Sequence, residues 1–358
     1  MPIYAYKMHK YEVTLVGAKG YSGLDLAKIL ITHPHARLSS VLTSDQSPFS
    51  LEDALLDSRA SQIQSLPLSD WKSLKVKPSI VFLATPAEVS LEWAPKFLEA
   101  GVSVIDLSGA YRLEAADYPK WYGLEHPEHS PLAQATYGLS PFDESFPKTG
   151  TFLISNPGCY VTSVLMALIP LLREGLIDPT NLVIDSKSGT TGAGRKASTD
   201  LLFSEVDGEC LPYKIGKHQH YPEIVRHLET YSGVKTSPFF TTQLLTVRRG
   251  ILSSIYAHVK PGVTTGQIAA AFNRTYANYP LVRHAAATEA RAKSLLSLKR
   301  VAGTPYTNLV YSVTDSKLYL FSVIDNLMKG AASQAVENFN RAYGLPINTG
   351  LSSLEGVL

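Results

Sequence analysis

Cysteine is scarce in this chain, which has only Cys159 and Cys210 among 358 residues. So few cysteines exclude a disulfide framework, and the lack of a Cys-x-x-Cys pair excludes the common zinc sites. We therefore predict no bound metal. Because thiols stay reduced inside cells, we expect Cys159 to be free to react.

An excess of charge of one sign and long apolar runs are also missing. The 33 Lys and Arg residues nearly balance the 31 Asp and Glu residues, leaving a net charge of +2. No segment approaches the roughly 20 apolar residues of a membrane span, and the first ten residues lack the apolar core of a signal peptide. We expect a cytoplasmic protein that acts on a small molecule and binds neither nucleic acid nor membrane.

What the chain does have is enough length and apolar material for two domains. Hydrophobic residues make up 45% and charged residues 18% of the sequence, which is the balance of a globular protein. A chain of 358 residues is longer than one ordinary domain. We therefore predict two domains, each with its own core.

The first domain opens with the strand, glycine turn and helix of a dinucleotide site. Residues 11–16 form an apolar run, and glycines at three-residue intervals lead into a helical pattern. Such glycines let a pyrophosphate approach the backbone at the N-terminus of a helix. The predicted cofactor-binding residues here are Gly17, Gly20, Tyr21, Ser22 and Gly23; a plain structural turn is the alternative.

The end of the second strand bears on the choice of cofactor. This strand, around residues 37–43, ends in Thr43 and Ser44 rather than in the acidic residue that binds the ribose of NAD. Small hydroxyl side chains leave room for a 2′-phosphate, so NADP is favoured. Asp45, one residue further on, speaks against it.

Two later strands end in candidate binding residues. The buried run over residues 79–84 stops at Thr85 and Pro86, at the sheet edge where doubly wound folds bind ligands. Alternating strands and helices indicate a parallel sheet. Arg112 follows the strand at residues 102–106, where a guanidinium can bind a substrate anion through two hydrogen bonds; a surface ion pair is the alternative.

Cys159 occupies the first turn of a predicted core helix. An apolar run ends at Asn156-Pro157-Gly158, and apolar residues then recur at helical spacing over residues 161–172. The helix N-terminus and its unpaired N–H groups stabilise a thiolate. We therefore expect a reactive Cys159, although a free cysteine in such a pattern can also be a buried structural residue.

A second glycine-rich loop follows the strand near residues 182–186. Ser188, Gly189, Gly192 and Arg195 combine small side chains, free N–H donors and positive charge. That combination suits a phosphate or the nicotinamide end of a cofactor. A mobile surface loop is the alternative.

His218 and His220 are the candidate acid–base residues. They are two positions apart, which places both on one face if the segment is extended. A neutral imidazole can take a proton from a thiol and return it. The sequence does not decide between the two rings.

The rest of the chain predicts a second, α+β domain. Strand patterns joined by short connections indicate a mixed or antiparallel sheet, and a helix over residues 265–277 covers one face. The strands are predicted at residues 241–247, 251–259, 309–313 and 318–324. The partner of the last helix, from about residue 329 to 343, cannot be derived from periodicity.

Several motifs together resemble the N-acetyl-γ-glutamyl-phosphate reductase family along nearly the whole chain. They are Gly17-Ala18-Lys19-Gly20-Tyr21-Ser22-Gly23, Asp106-Leu107-Ser108-Gly109-Ala110-Tyr111-Arg112, Tyr122-Gly123-Leu124, Ser155-Asn156-Pro157-Gly158-Cys159-Tyr160, Ser188-Gly189-Thr190-Thr191-Gly192-Ala193-Gly194-Arg195, His218-Gln219-His220-Tyr221-Pro222-Glu223 and Asp325-Asn326-Leu327-Met328-Lys329-Gly330-Ala331. Tyr111 stands where this family usually has Phe, and Glu125 where Pro is frequent.

The resemblance implies a fold and a reaction. The fold is an α/β Rossmann dinucleotide-binding domain, residues 1–155 and 327–358, with an α+β catalytic and oligomerisation domain at residues 156–326. The C-terminal helix returns to the Rossmann domain, and the protein is a homo-oligomer, a dimer or a tetramer. The reaction is the NADPH-dependent conversion of an acyl phosphate to a semialdehyde in arginine biosynthesis, through a thioester on the cysteine.

The resemblance also implies site roles. Cys159 is the nucleophile and His220 the acid–base residue, with His218 as the fallback. Arg112, Asn156 and Arg195 bind the substrate anion or the developing oxyanion. NADP(H) is bound by the glycine-turn residues above and by Thr43, Ser44, Thr85, Pro86, Ser188, Gly189, Gly192 and Asn326.

Three other functions remain open at this point. A reductase of aspartyl phosphate or of carrier-linked aminoadipyl phosphate would share the fold and the nucleophile. A Cys–His hydrolase or acyltransferase would have no use for the glycine turn at residues 17–23. A non-catalytic dinucleotide-binding regulator would tolerate loss of the thiol.

Overall fold

The computed structural model describes residues 10–44, 46–127, 129–143, 146–147 and 150–351. Residues 1–9 and 352–358, which the predicted Rossmann domain includes, lie outside this part of the chain. Asp45, the residue that spoke against NADP, lies outside it as well. Among the described residues, no helix has both the length and the apolar character to cross a membrane.

The first domain is a parallel sheet with helices, as predicted. Its strands are β1 (Tyr11–Val16), β2 (Ala36–Thr43), β3 (Gln64–Pro67), β4 (Ile80–Leu83), β5 (Ser103–Asp106), β6 (Ala135–Tyr137) and β7 (Leu153–Ser155). They lie in the order β3-β2-β1-β4-β5-β7-β6, and every neighbouring pair is parallel. Strands buried on both faces, such as β4, read as continuous apolar runs.

The connections of this sheet are helical. They are α1 (Tyr21–Thr32), α2 (Leu51–Leu55), α3 (Ala87–Glu99) and α4 (Tyr118–Trp121), with 3₁₀ turns at Ser58–Ala60, Leu68–Ser73, Ala115–Asp117 and Pro131–Gln134. The polar stretch after residue 48 supplies α2 and the edge strand β3. Its weak periodicity has a physical reason, since β3 is only half-buried along its length.

The second domain is built on a mixed sheet, again as predicted. Its strands are β8 (Val183–Gly189), β9 (Cys210–Tyr213), β10 (Phe239–Leu245), β11 (Ile251–His258), β12 (Val282–Ala286), β13 (Thr307–Thr314) and β14 (Lys317–Ile324). The order is β12-β13-β14-β11-β8-β10-β9. The pairs β8–β10 and β12–β13 are parallel, and the other neighbours are antiparallel.

The helices of this domain are α5 (Cys159–Arg173), α6 (Phe203–Val206), α7 (His220–Ser232), α8 (Thr265–Tyr276), α9 (Ala292–Leu295) and α10 (Leu298–Val301), with 3₁₀ turns at Thr190–Ala193 and Thr199–Leu201. The central one is α5, whose residues from Tyr160 to Leu172 are all buried. It packs against α7, α8, β11 and β14. A helix that is apolar all round is a core helix, so its first residue, Cys159, has a rigid base.

The chain then returns to the first domain, as the resemblance implied. After β14 comes a π-helical turn, Met328–Ala332, and then α11 (Ser333–Ala342). Phe339 of α11 makes ring contacts with Tyr11 and Phe82, which belong to strands of the first sheet. The predicted single helix therefore begins as a wider π turn, a feature that often occurs at functional sites.

A buried ion pair holds the π turn in place. Lys329 is fully buried, and its Nζ lies 2.8 Å from each carboxylate oxygen of Glu337 and 2.5 Å from the hydroxyl of Tyr279. A buried charge is tolerated only when it is paired and hydrogen-bonded. Since Tyr279 lies in the second domain and Glu337 on α11, this cluster ties the returning segment to both parts of the molecule.

Candidate active site

One cleft of about 1160 Å³ is lined by residues of both domains. The predicted site residues along it are Gly20, Tyr21, Ser22, Gly23, Thr85, Pro86, Arg112, Cys159, Ser188, Gly189, Gly192, Arg195, His218, His220 and Asn326. The predicted residues outside its lining are Gly17, Thr43, Ser44 and Asn156. The glycine turn and the thiol, which lie far apart in the sequence, thus open into one space.

The glycine turn is shaped for a dinucleotide. Gly17 has φ +89°, and a Cβ there would lie 2.3 Å from the carbonyl oxygen of Ala84; a Cβ at Gly23 would lie 2.2 Å from that of Gly17. These two glycines pack the turn against β4 and α1. Gly20 is different, because the nearest neighbour of a Cβ there is 3.4 Å away and the position faces the cleft. This open cradle at the start of α1 fits a pyrophosphate.

The nucleophile turn connects β7 to α5. The N-cap of α5 is Gly158, which donates its backbone N–H to Oε1 of Glu223 at 2.9 Å. A Cβ on Gly158 would lie 2.5 Å from Nε2 of His220. The glycine before Cys159 is therefore what allows the His220 ring to reach the turn.

Asn156 supports this turn from within the protein. It is fully buried; its Nδ2 donates to the carbonyl of Ala331 at 3.3 Å, and its Oδ1 accepts from Asn338 at 2.9 Å. In this structure the amide holds the C-terminal segment against the nucleophile turn. A substrate anion could reach Asn156 only after these contacts break.

His220 is buried at the start of α7, directly against Gly158. Burial, with smaller contributions from His218, Arg112 and Lys214, holds the pKa of His220 well below its usual value. The ring is therefore neutral near pH 7 and can accept a proton. Its neighbours leave it in the protonation state that a general base needs.

His218 lies in an aromatic pocket one turn earlier. Its ring makes edge contacts with Tyr160, Tyr213 and Phe240, and its Nδ1 accepts the backbone N–H of His220 at 3.1 Å. The segment is not extended, because α7 begins at His220. Burial lowers the pKa of His218 to about 3, so its neutral ring carries the proton on Nε2 and secures the start of α7.

The pKa of the Cys159 thiol differs from what the sequence predicts. Burial raises its pKa to about 11, although Arg112 and the backbone N–H groups of the helix start act in the opposite direction. The prediction of a thiolate at the helix N-terminus was therefore wrong for the protein without substrate. The loss of solvation on burial raises the pKa of Cys159 more than the helix N-terminus lowers it. The thiol has to lose its proton during the reaction.

The pH dependence of the alkylation rate tests the raised pKa of Cys159. In a Cys210→Ala background, the rate of Cys159 modification by iodoacetamide should rise about tenfold per pH unit from about pH 7 to 9. The reason is that the thiolate is the reacting form and remains a minor species over that range. A Cys159→Ala variant measures the background reaction. A rate that levels off near neutral pH would contradict the raised pKa.

Arg112 and Glu223 form a buried pair beside the thiol. Arg112 donates to the carbonyls of Asn156 and Leu107 at 2.8 and 2.6 Å, and its NH1 lies 3.8 Å from Oε2 of Glu223. Oε1 of Glu223 also accepts the hydroxyl of Tyr137 at 2.7 Å. No role for Glu223 followed from the sequence alone. Its position three residues after His220, on the same helix face, was the available signal.

The second glycine loop is anchored rather than mobile. Gly189, Thr190 and Thr191 donate their backbone N–H groups to the carbonyls of residues 250, 247 and 248. Asn326 accepts from the backbone of residue 250 at 2.8 Å and donates to Thr191 Oγ1 at 3.0 Å. These contacts hold residues 189–191 along the cleft.

Arg195 lies at the cofactor end of this loop. Its NH1 donates to the carbonyl of Lys19 at 2.7 Å, and its guanidinium lies 5.5 Å from the ring centre of Tyr21. Both partners belong to the glycine turn. The contact therefore spans the cleft at the start of α1, and in this arrangement the side chain is engaged with the first domain.

Lys19 is a further candidate for the cofactor site. It lies inside the glycine turn, and its Nζ donates to Ser47 Oγ at 2.7 Å, just beyond the end of β2. Thr43 and Ser44 mark that strand end. The sequence shows Lys19 only as part of a motif. The signal for a phosphate contact was an ammonium within a glycine turn that is followed by a strand ending in hydroxyl residues.

The part of the chain that the structure describes contains no group of three or more His, Cys, Asp or Glu side chains arranged to hold a metal ion. At the nucleophile end of the cleft the polar groups include a thiol, two neutral imidazoles and the guanidinium of Arg112. That set suits covalent acyl transfer beside a dinucleotide.

Two family models match the chain. Residues 12–146 match the semialdehyde dehydrogenase NAD-binding domain, and residues 159–326 match the semialdehyde dehydrogenase dimerisation domain. The first match covers the glycine turn, and the second begins at Cys159.

Curated relatives match over almost their full length. The N-acetyl-gamma-glutamyl-phosphate reductase of Geobacillus stearothermophilus is 39% identical over 96% of this chain and 98% of its own. The enzyme of the same name from Brevibacillus brevis is 39% identical over 95% and 97%.

Solved structures support the fold. Aspartate semialdehyde dehydrogenase II of Vibrio cholerae, complexed with ASA, has a TM-score of 0.67 at 16% identity and covers 92% of this chain and 97% of its own. The aspartate semialdehyde dehydrogenase of Candida albicans with NADP has a TM-score of 0.64 at 14% identity, covering 93% and 98%.

Proposed function

Since this chain belongs to the N-acetyl-γ-glutamyl-phosphate reductase family, we propose that it reduces N-acetyl-γ-glutamyl phosphate to N-acetylglutamate 5-semialdehyde with NADPH, through a thioester on Cys159. The protein is an NADP-dependent, acyl-phosphate-reducing oxidoreductase of arginine biosynthesis. The observation that supports the proposal best is the single cleft that contains both the glycine turn and Cys159.

In the first half-reaction the Cys159 sulfur attacks the acyl carbon and phosphate leaves. The thiol proton passes to the neutral His220, whose ring lies against the nucleophile turn. Because the free thiol has a raised pKa, its proton is transferred as attack occurs rather than beforehand. The acyl group is then held as a thioester, which splits one difficult displacement into two easier steps.

In the second half-reaction the thioester becomes a thiohemiacetal. NADPH, when bound, supplies the hydride. The protonated His220 returns its proton to the developing oxyanion, then accepts it again as the thiohemiacetal collapses and releases the aldehyde from Cys159. The sulfur leaves as a thiolate, beside the guanidinium that favours its negative charge.

We assign Arg112 to the substrate's carboxylate or phosphate. It lines the cleft, and its buried guanidinium is oriented by two backbone carbonyls. Glu223 is a positioning residue, because its carboxylate accepts the backbone N–H of Gly158 and also lies 3.8 Å from the guanidinium of Arg112. Asn156 and Arg195 also remain proposed ligands of the substrate anion. To bind it, each side chain must first give up the hydrogen bonds that it makes in this structure.

The substrate assignment is tested in the reverse direction. Purified protein with N-acetylglutamate semialdehyde, phosphate and NADP⁺ should form NADPH, followed by its absorbance. Aspartate semialdehyde and carrier-linked aminoadipate semialdehyde are the matched alternatives. Activity restricted to either of them would reassign the acyl group, and no activity with any of the three would refute the proposal.

We further propose that Lys19 binds the 2′-phosphate of NADP. Its ammonium lies beside Ser47, beyond the strand end that Thr43 and Ser44 form. An ammonium and nearby hydroxyls are suitable ligands for a phosphate dianion. Small side chains only leave space for the 2′-phosphate. A cation attracts the phosphate and therefore explains a higher affinity for NADP than for NAD.

Lys19→Met is expected to weaken NADPH binding about tenfold to a hundredfold, the value of a charged hydrogen bond, and to leave NADH binding nearly unchanged. Fluorescence titration of each cofactor without substrate measures this. Lys28→Met, at an exposed lysine of α1, the helix that follows the glycine turn, is the matched control. Equal weakening of both cofactors would place Lys19 elsewhere than at the 2′-phosphate.

We propose a homo-oligomer formed through the second sheet, since the model that matches residues 159–326 is a dimerisation domain. Exposed Phe239, Tyr256 and Tyr319 lie in one row across this sheet. We also propose domain boundaries at 1–155 with 327–358 and at 156–326, and work in the cytoplasm, where Cys159 stays reduced.

A further inference from the structure

Arg249 joins the two domains at a point that the proposed reaction does not use. It lies in the connection between β10 and β11. Its NH2 donates to Oδ2 of Asp25 on α1 at 2.6 Å, and its Nε lies 2.9 Å from Oδ2 of Asp325, just after β14. Asp25 is buried and Asp325 fully buried. One guanidinium thus bridges a carboxylate from each side of the junction.

The contact with Asp25 acts on the cofactor-binding helix. α1 begins at Tyr21, with Gly20 as its N-cap, and Asp25 is on its buried side about one turn further along. The N-terminus of this helix lines the cleft. Because a helix moves nearly as a rigid rod, holding Asp25 holds the glycine turn.

The second carboxylate, Asp325, holds the π turn that touches the nucleophile. Oδ1 of Asp325 accepts the backbone N–H groups of Leu327 and Met328 at 2.7 and 3.1 Å, and its carbonyl accepts that of Gly330 at 2.9 Å. Gly330 packs on the thiol residue, since a Cβ there would lie 2.7 Å from Cβ of Cys159. Asp325 therefore shapes the π turn that touches the nucleophile.

The geometry requires arginine. A planar guanidinium can bind two carboxylates at once through separate N–H groups, whereas the ammonium of lysine is a compact point charge. Without the guanidinium, two poorly solvated carboxylates would face each other and repel. Their separation would carry α1 away from the π turn.

Resting on the function proposed above, we infer that Arg249 is a positioning residue that sets the place of the cofactor-binding helix relative to Cys159. It acts on hydride transfer rather than on acylation, because the backbone N–H groups of residues 327, 328 and 330 bind Asp325 and hold the π turn without Arg249, whereas Arg249 itself binds Asp25 on the cofactor-binding helix. The groups assigned to acylation reach the nucleophile turn through Gly158 and Asn156. Arg249 reaches it through Asp325 and Gly330, and it reaches the cofactor turn through Asp25.

The test separates the two half-reactions in Arg249→Gln, with the exposed neighbour Arg248→Gln as the matched control. Phosphate release from freshly prepared N-acetyl-γ-glutamyl phosphate without NADPH reports acylation. Turnover with NADPH and with NADPH deuterated at the transferred position reports hydride transfer. Fluorescence titration reports NADPH affinity.

For Arg249→Gln we expect the phosphate burst to stay within about twofold of the wild type. We expect kcat to fall about tenfold to a hundredfold, the usual effect of misplacing reacting groups by about 1 Å, and the deuterium isotope effect to rise. Arg249→Lys should restore only part of kcat. Arg248→Gln should match the wild type in all three measurements.

A parallel fall of burst and kcat with an unchanged isotope effect would show a merely structural role and overturn the inference, as would an unchanged kcat. If Arg249→Gln does not fold, the double variant Asp25→Asn/Arg249→Gln is used instead, because it removes the unpaired carboxylate on α1. A deuterium isotope effect in the double variant equal to that of the wild type would also overturn the inference. A wild type that releases no phosphate would instead refute the proposed thioester route.

Discussion

Replacing Cys159 with alanine is expected to lower kcat by about 10⁴-fold or more, as loss of a covalent nucleophile does in other acyl-transfer enzymes. Without the sulfur no thioester can form, and among the described residues that line the cleft no other thiol is present. The measurement is NADPH formation from N-acetylglutamate semialdehyde, phosphate and NADP⁺.

The chain supplies its own control for this variant. Cys210 is exposed on β9, so Cys210→Ala should keep kcat within about twofold of the wild type. NADP⁺ affinity of Cys159→Ala should also be nearly unchanged, which separates lost chemistry from lost folding. Full activity in Cys159→Ala, or its loss in Cys210→Ala alone, would overturn the assignment of the nucleophile.

Replacing His220 with asparagine is expected to lower kcat about 10²- to 10⁴-fold, the range for loss of a general acid–base group. The effect should be large here because the thiol it serves has a pKa of about 11 and is protonated at pH 7. Substrate binding does not require the imidazole, so KM should change far less than kcat. Steady-state kinetics in the reverse direction measure both.

His218→Asn is the matched comparison. His218 secures the start of α7 through its Nδ1, and asparagine can supply a similar acceptor, so we expect a much smaller loss of kcat. If His218→Asn loses activity and His220→Asn keeps it, the two roles must be exchanged.

The pH profile adds an independent check on the same residue. Burial holds the pKa of His220 well below its usual value, so the base is neutral above that pKa and becomes protonated only as pH falls through it. Wild-type kcat/KM should therefore show no histidine-dependent decline between about pH 8 and 6. A decline centred near 6.5 would indicate that the base is more solvated than it is in this structure.

The local features of the site were predictable from the sequence. The strand at residues 11–16, the glycines after it and the helix that begins at Cys159 are set by neighbouring residues, through apolar periodicity and the backbone freedom of glycine. Such patterns need no knowledge of distant contacts. The C-terminal helix was different: its return to the first domain was predicted from the family resemblance and not from its own pattern, and its contacts with Tyr11 and Phe82 are seen only in the structure.

The choice between His218 and His220 was not predictable, because both are local neighbours of the same turn. Packing decides it, since an aromatic pocket encloses His218 while the missing side chain of Gly158 admits His220. Glu223 was missed for a related reason. Its partners Gly158 and Tyr137 are 65 and 86 residues away in the chain.

By itself, the sequence determined the glycine turn, the two-sheet architecture and the family and predicted Cys159 as the nucleophile, because these depend on residue identity and short-range spacing. Only the tertiary structure decided the protonation state of Cys159, since desolvation depends on everything packed around the thiol and outweighs the local effect of the helix start. It likewise decided which imidazole faces the turn, where Asn156 and Arg195 make their contacts, and that Arg249 joins two carboxylates 300 residues apart. Interactions of that kind arise only when distant segments are brought together and water is excluded between them.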